Sequence, residues 1–233
     1  MMQPQFGRGI LIAALCALPL GAWPSLAAAT PDLSGPWQIQ KAGQALVTRD
    51  GKPPPLLPEA KLAQQKTQAL YAQNKGADPS EDCLPPGTPR AMLQPYPFNI
   101  VQGKRTIALL LEWNHLTRLI YMDRGHFTPI GPLYLGQSVG HWEGDTLVID
   151  TDSYNDTTWL DDKGLPHSDQ MTTVERLRLV GGGQQLEDDI TITDPKTFSA
   201  PWTARLLFKK QPGVLIKEDY CLGRVGKGRT ANK

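Results

Sequence analysis

From residue 97 onward the chain alternates apolar and polar side chains with a period of two, and short turn sequences interrupt the alternation. Alternation of this kind sends successive side chains to opposite faces of a pleated strand, so it predicts a sheet with one buried face. The runs are 97–102, 105–113, 116–122, 136–142, 145–152, 170–180, 184–193, 202–210 and 213–220. Between them stand Gly103-Lys104, Asn114-His115, Glu143-Gly144, Gly181-Gly182-Gly183 and Gln211-Pro212-Gly213. Breaks this short join hairpins, so neighbouring strands are expected to pair antiparallel. Trp37-Gln38-Ile39-Gln40 adds a short first strand. Nine or ten strands in a meander curl or close on themselves more readily than they lie flat. The expected fold is therefore mainly β, an antiparallel meander forming a barrel with one N-terminal helix. Gly35-Pro36-Trp37 resembles the G-x-W that lipocalins carry near their first strand, and that resemblance implies a lipocalin-like (calycin-type) barrel. A flat sandwich is the competing architecture.

The helix is expected over 58–74. Pro58 suits the first helical position, Glu59 the first turn, and Leu62, Ala63, Leu70 and Tyr71 are spaced for one face. Residues 76–96 are rich in proline and read as an ordered loop.

Residues 1–29 hold a single charge, Arg8, then an apolar stretch from Gly9 to Trp23 and Ala27-Ala28-Ala29. That is the layout of a signal peptide cleaved after Ala29. The remainder, 30–233, is expected to form one domain: an arm at 30–96, the meander at 97–221 and a basic tail at 222–233. The expected location is periplasmic or secreted, with no membrane span once the leader is removed. The chain has 24 Lys and Arg against 23 Asp and Glu, and loss of Arg8 brings the two into balance. A balanced charge offers no electrostatic footprint for nucleic acid. Of three cysteines, Cys16 leaves with the leader, and Cys83 and Cys221 are expected to form one disulfide.

Several charges fall in register with apolar neighbours. Arg118 shares parity with Leu116, Ile120 and Met122; Glu175 with Met171, Leu177 and Leu179; Asp188 and Asp194 with Ile190 and Ile192. An inward arginine needs a carboxylate, because a buried unpaired charge costs several kcal/mol, and Glu175 is the expected partner. Either these charges form a structural salt bridge, or they floor a polar pocket.

The four histidines, at 115, 126, 141 and 167, match no metal-ligand spacing. His115 and His167 fall at loop ends, where barrel pockets open. Residues 152–169 form a long loop that mixes aromatics, acids and hydroxyls, as binding loops do. Asp150, Asp152, Asn155 and Asp156 carry oxygen ligands of the type calcium takes, without the EF-hand spacing. Gly136-Gln137-Ser138-Val139-Gly140 matches the nucleophile elbow of serine hydrolases, but a strand follows it instead of a helix.

Together, the runs Pro95 to Gln102, Trp113-Asn114-His115, Gly136 to Thr151, Tyr154 to Asp161, Pro166 to Asp169 and Thr191 to Thr203 resemble a family of exported proteins of acidobacteria and sphingomonads. The likeness spans roughly residues 80–221, and Gly136 to Asp161 is its most specific block. It implies an exported, β-rich domain and no particular activity. In that family a histidine stands where this chain has Gln137, and a glycine-aromatic pair where it has Ser153-Tyr154. Chemistry centred on that histidine is therefore not implied here.

The expected function is a cofactor-independent lyase or isomerase that moves a proton on a small apolar or aromatic molecule bound inside the barrel. His167 or His115 would be the general base, as the side chains nearest neutral pKa. Arg118 and Tyr121 would stabilise negative charge, and Asp156 or Glu175 would orient the histidine. Trp113, Trp142, Asn155 and Trp159 would contact the ligand. The competing function is a carrier for a hydrophobic ligand, and self-association is compatible with either.

Overall fold

Nine strands close into one barrel in the computed structural model, which describes residues 1–2, 30–73, 78–127 and 131–221. They are β1 (Gly35–Ile39), β2 (Phe98–Gln102), β3 (Thr106–Leu111), β4 (Thr117–Met122), β5 (Gln137–Glu143), β6 (Thr146–Asp152), β7 (Thr172–Val180), β8 (Gln185–Thr193) and β9 (Trp202–Lys210). Each strand pairs with the next, and β1 pairs with β9 to close the ring, so no edge is left open. The expected leader, 1–29, and the basic tail, 222–233, lie outside the described residues apart from Met1 and Met2.

All the pairs are antiparallel except β4 and β5, where Ile120, Tyr121 and Met122 face Ser138, Val139 and Gly140 in parallel register. The tight turns at 103–105, 144–145 and 181–184 make the hairpins their sequences imply. Between β4 and β5 stands a longer connection, and β5 starts at the end of the barrel where β4 started. The approach of these two strands needs a glycine: a Cβ on Gly140 would lie 2.8 Å from Ile120 Cγ2.

The run 213–220 is not a strand. With β1 already bonded to β9, the barrel has no free edge for it. Residues 211–221 instead run as an irregular strap, held where Lys217 N–H donates to Glu112 (3.0 Å) and where Cys221 joins Cys83 in a disulfide. That bridge spans 138 residues of chain.

Alternate residues of every strand fill the barrel. Trp37, Phe98, Leu109, Ile120, Ile149, Ile190, Leu206 and Phe208 are all buried, and Phe98 meets Phe208 edge to face at 5.1 Å. The same apolar cluster continues beyond one end through Leu46, Met92, Leu93, Tyr154, Leu160, Leu165 and Phe198. Asp161 ties these loops together, accepting from the backbone N–H of Leu46 (2.9 Å), Lys163 (2.8 Å) and Leu165 (3.1 Å). Beside it, Arg90 donates to Asp78 (2.8 and 2.5 Å) and to Asp162 (2.8 Å). Burial opposes the charge on Asp78, but the bonds from Arg90 outweigh it and hold the carboxyl below its ordinary range.

The helix α1 (Pro58–Ala72) buries none of its residues. The apolar face expected of Leu62, Ala63, Leu70 and Tyr71 is therefore not a core face: Leu62 is 65% exposed. α1 rests on the 161–164 turn instead, with Gln68 donating to the Lys163 carbonyl at 2.8 Å and Tyr71 meeting Trp159 edge to face.

Candidate functional site

The barrel wall opens between β4 and β5. Their pairing covers only 120–122 and 138–140, so at Thr117, Arg118 and Leu119 the two strands have parted. At the parting, Gly136 takes a left-handed backbone (φ 68°) against Thr151, Asp152 and Tyr154, where a Cβ would lie 2.5 Å from Thr151 Cγ2. The resulting cleft has a volume of about 330 Å³. Its walls are Leu119, Tyr121, Phe127, Leu133 and Leu135, and Arg118, Gln137 and Ser138 supply its polar surface. Tyr121 and Phe127 meet edge to face at 4.9 Å, and the Arg124 guanidinium lies over Phe127, 3.5 Å from its centroid. Gln137 Oε1 accepts from Phe127 N–H (2.6 Å) and fastens that wall to β5.

Arg118 sits at the floor because its parity on β4 points inward, as the apolar pattern predicts. Its Nη1 donates to Glu175 Oε1 at 2.9 Å, and its Nη2 donates to Glu175 Oε2. Nε donates to Ser138 Oγ (3.1 Å) and Nη2 also to Thr151 Oγ1 (2.9 Å), while Ser138 and Thr151 share a bond of 2.9 Å. Arg118 is 3% exposed and Glu175 fully buried. Burial opposes the arginine's charge, but Glu175 outweighs it and raises the guanidinium pKa.

A third charge-bearing group joins them. Asp188 on β8 stands opposite Leu177 on β7, one alternation along from Glu175, and is 1% exposed. Neither of its carboxyl oxygens has a hydrogen-bond partner among the described residues. Burial first, and then the negative charge of Glu175, push its pKa well above the ordinary range. Tyr154, bonded to Thr173 at 2.9 Å, is pushed up to about 12 by burial. Asp194, grouped with Asp188 by parity, lies outside the barrel end, where it accepts from Ser168 N–H (2.6 Å) and Ser168 Oγ–H (2.7 Å).

The other expected site residues are dispersed. His167 is buried in the 153–171 loop, with Nε2 2.7 Å from Thr158 Oγ1 and Nδ1 3.2 Å from the Ser168 carbonyl. Burial lowers its pKa, partly offset by the Ser168 carbonyl and by the charges of Asp194 and Asp156. Asp156 itself is exposed. His115 is exposed in the β3–β4 connection and stacks on Tyr220 at 5.2 Å. Trp113 lies in the same connection, stacked on Tyr96. Trp142 is half-buried on the inward face of β5, opposite Leu147 and away from the parted end. Trp159 packs against Tyr71 and under the Arg90 guanidinium (5.1 Å). Asn155 accepts from Thr157 N–H and Oγ1–H, both at 3.0 Å, in a local turn. The cleft thus brings together Arg118 and Tyr121 of the expected set, with Glu175 directly behind; the two histidines and the other aromatics do not line it.

Ser138 belongs to a strand and bonds to Arg118 and Thr151, with no histidine beside it. Asp150 and Asp152, counted above as oxygen ligands, flank His126 instead: Nε2 is 3.3 Å from Asp150 and Nδ1 3.3 Å from Asp152. Among the described residues no group of three His, Cys, Asp or Glu is arranged to hold a metal ion. No helix among them is long and apolar enough to cross a membrane.

No protein-family model matches the chain, and no curated protein matches it by sequence.

Proposed function

We propose that the protein binds a small molecule with an apolar or aromatic body in the cleft between β4 and β5. The observation that carries this reading is the lining itself: aliphatic and aromatic walls converge on a few fixed polar groups, Arg118, Ser138 and Gln137. That composition is characteristic of small-molecule sites, and about 330 Å³ lies at the lower end of their size range. Inside the barrel, Trp37, Phe98, Ile190 and Phe208 are buried in one apolar cluster, so this reading seats the ligand in the wall cleft and not among them. Leu135→Trp, which fills the cleft with protein, should abolish binding of small aromatic probes followed by calorimetry. Undiminished binding by that variant would refute the reading.

A second reading, proton-transfer catalysis without a cofactor, draws support from Asp188. A buried carboxyl with a raised pKa behind an Arg–Glu pair is the kind of perturbed group that catalytic sites collect. Turnover of a cleft ligand, lost in Asp188→Asn while binding persists, would favour it over carriage. The Cys83–Cys221 disulfide supports a role in an oxidising compartment, in keeping with the exported family that the sequence resembles.

A further inference from the structure

We propose that the cleft takes a short peptide in extended conformation, which pairs with the free edge of β4 at Thr117–Leu119 and lays an apolar side chain against the Leu119–Tyr121 wall. This rests on the cleft being the binding site and names the class of molecule that fills it.

The register decides which backbone groups face the cleft. Leu111 N–H donates to the Leu116 carbonyl (2.8 Å) and Met122 N–H to the Arg105 carbonyl (3.0 Å), so the even-numbered residues of β4 turn their backbone groups to β3. Thr117, Leu119 and Tyr121 therefore turn theirs the other way, toward β5. Asp123 N–H continues that series by donating to the Gly140 carbonyl (2.8 Å). The parallel pairing begins at Ile120 and Ser138, and it uses the Leu119 carbonyl and the Tyr121 N–H. One step earlier it would need residue 136, but Gly136, at φ 68°, has turned out of the strand. Leu119 N–H and both backbone groups of Thr117 consequently have no hydrogen-bond partner among the described residues. No strand of the barrel is an edge along its whole length, yet β4 is one over these residues. Thr117 and Leu119 both line the cleft and both are exposed, Leu119 to 42%.

Two donors and an acceptor spaced along a strand edge select their partner. A trans amide points its C=O and its N–H in opposite directions, so a single amide group can meet one of the three and not its neighbours. An extended residue between two amides presents its own N–H and C=O to the same side, as the next strand of a sheet does. The side chains of such a peptide alternate, which puts every second one on the outer face beside Leu119 and Tyr121, where Phe127, Leu133 and Leu135 complete the wall. The residues between them face inward, toward the buried Arg118, and should be small.

N-acetyl-alanyl-phenylalanine methylamide has this pattern. Its fully N-methylated counterpart keeps both side chains and every carbonyl but has no N–H, and ethylbenzene offers the ring alone. Ligand-observed NMR titration of the full, oxidised chain should rank the parent peptide about fivefold or more above the N-methylated one, as loss of the bond to the Thr117 carbonyl requires. Leu119→Pro removes the free donor without breaking a ladder bond, which is why proline is tolerated on strand edges. It should weaken the parent peptide severalfold relative to Leu119→Ala, while the two variants bind ethylbenzene alike. Equal binding of the two peptides, or of the parent peptide by the two variants, would overturn the peptide assignment and leave the cleft as the site of an apolar ligand. Should neither the peptides nor ethylbenzene bind, or Leu135→Trp bind them all undiminished, the cleft reading itself fails and the assignment with it. The wild-type ranking decides the matter even if Leu119→Pro does not fold.

Discussion

Asp188→Asn keeps the shape of a buried side chain and removes its ability to ionise. Asp188 lies inside the barrel with neither oxygen bonded to a donor among the described residues, and burial together with the charge of Glu175 raises its pKa well above the ordinary value of 3.8. A carboxyl with a raised pKa holds its proton more tightly in the folded chain than in the unfolded one. Its contribution to stability is therefore complete below the unfolded pKa and is lost as pH rises through the folded pKa. Within that window one proton of difference changes the unfolding free energy by about 1.4 kcal/mol per pH unit. Asparagine has no proton to lose, so the variant should gain on the wild type by about that slope from roughly pH 4 upward, levelling off at the folded pKa. The asparagine NH₂ can donate to Glu175, which moves the offset between the two proteins but not its dependence on pH. Urea unfolding followed by circular dichroism, with the disulfide intact, at about pH 4.5, 5.5 and 6.5 measures the difference. A stability difference that stays constant across those conditions would show that Asp188 is ionised throughout, and the description of the barrel floor would be wrong.

Other consequences are as direct. Arg118→Met should cost about 3–5 kcal/mol, because Glu175 is left charged and buried, whereas pairing it with Glu175→Leu should recover most of the loss in denaturant unfolding. Gly136→Ala places a Cβ 2.5 Å from Thr151 at a left-handed position, and should cost about 2–4 kcal/mol and deform the cleft mouth. Replacing Cys83 and Cys221 by serine releases a closure of 138 residues and should lower stability by about 2–5 kcal/mol, read as a lower urea midpoint.

The barrel could be read in the sequence because period-two alternation and glycine turns are local signals that agree with one another. Register carried as far as the contact between Arg118 and Glu175, since a charge sharing parity with Ile120 or Leu177 has to face inward and find a partner. It could not reveal that β4 and β5 run parallel and part at Gly136, because the connection between them has no alternation and its path depends on the closed sheet. Of the apolar walls, Tyr121 alone was among the expected residues; Leu119 shares its outer parity on β4, and Phe127, Leu133 and Leu135 lie on the connection, where the alternation gives no signal. Tryptophans were a poor guide, since residue type does not say which surface a ring covers. Trp113 and Trp159 pack on Tyr96 and Tyr71, outside the strands altogether. The alternation at 213–220 was real, but a barrel closed by β1 and β9 leaves it no partner.

Chemical-shift mapping of the isotopically labelled protein with acetophenone tests the binding cleft most directly. Shifts should concentrate on Leu119, Tyr121, Phe127, Leu135 and Ser138, with α1 unmoved. Shifts centred on the groove beneath α1, around Gln68 and Trp159, or on no contiguous surface, would contradict it.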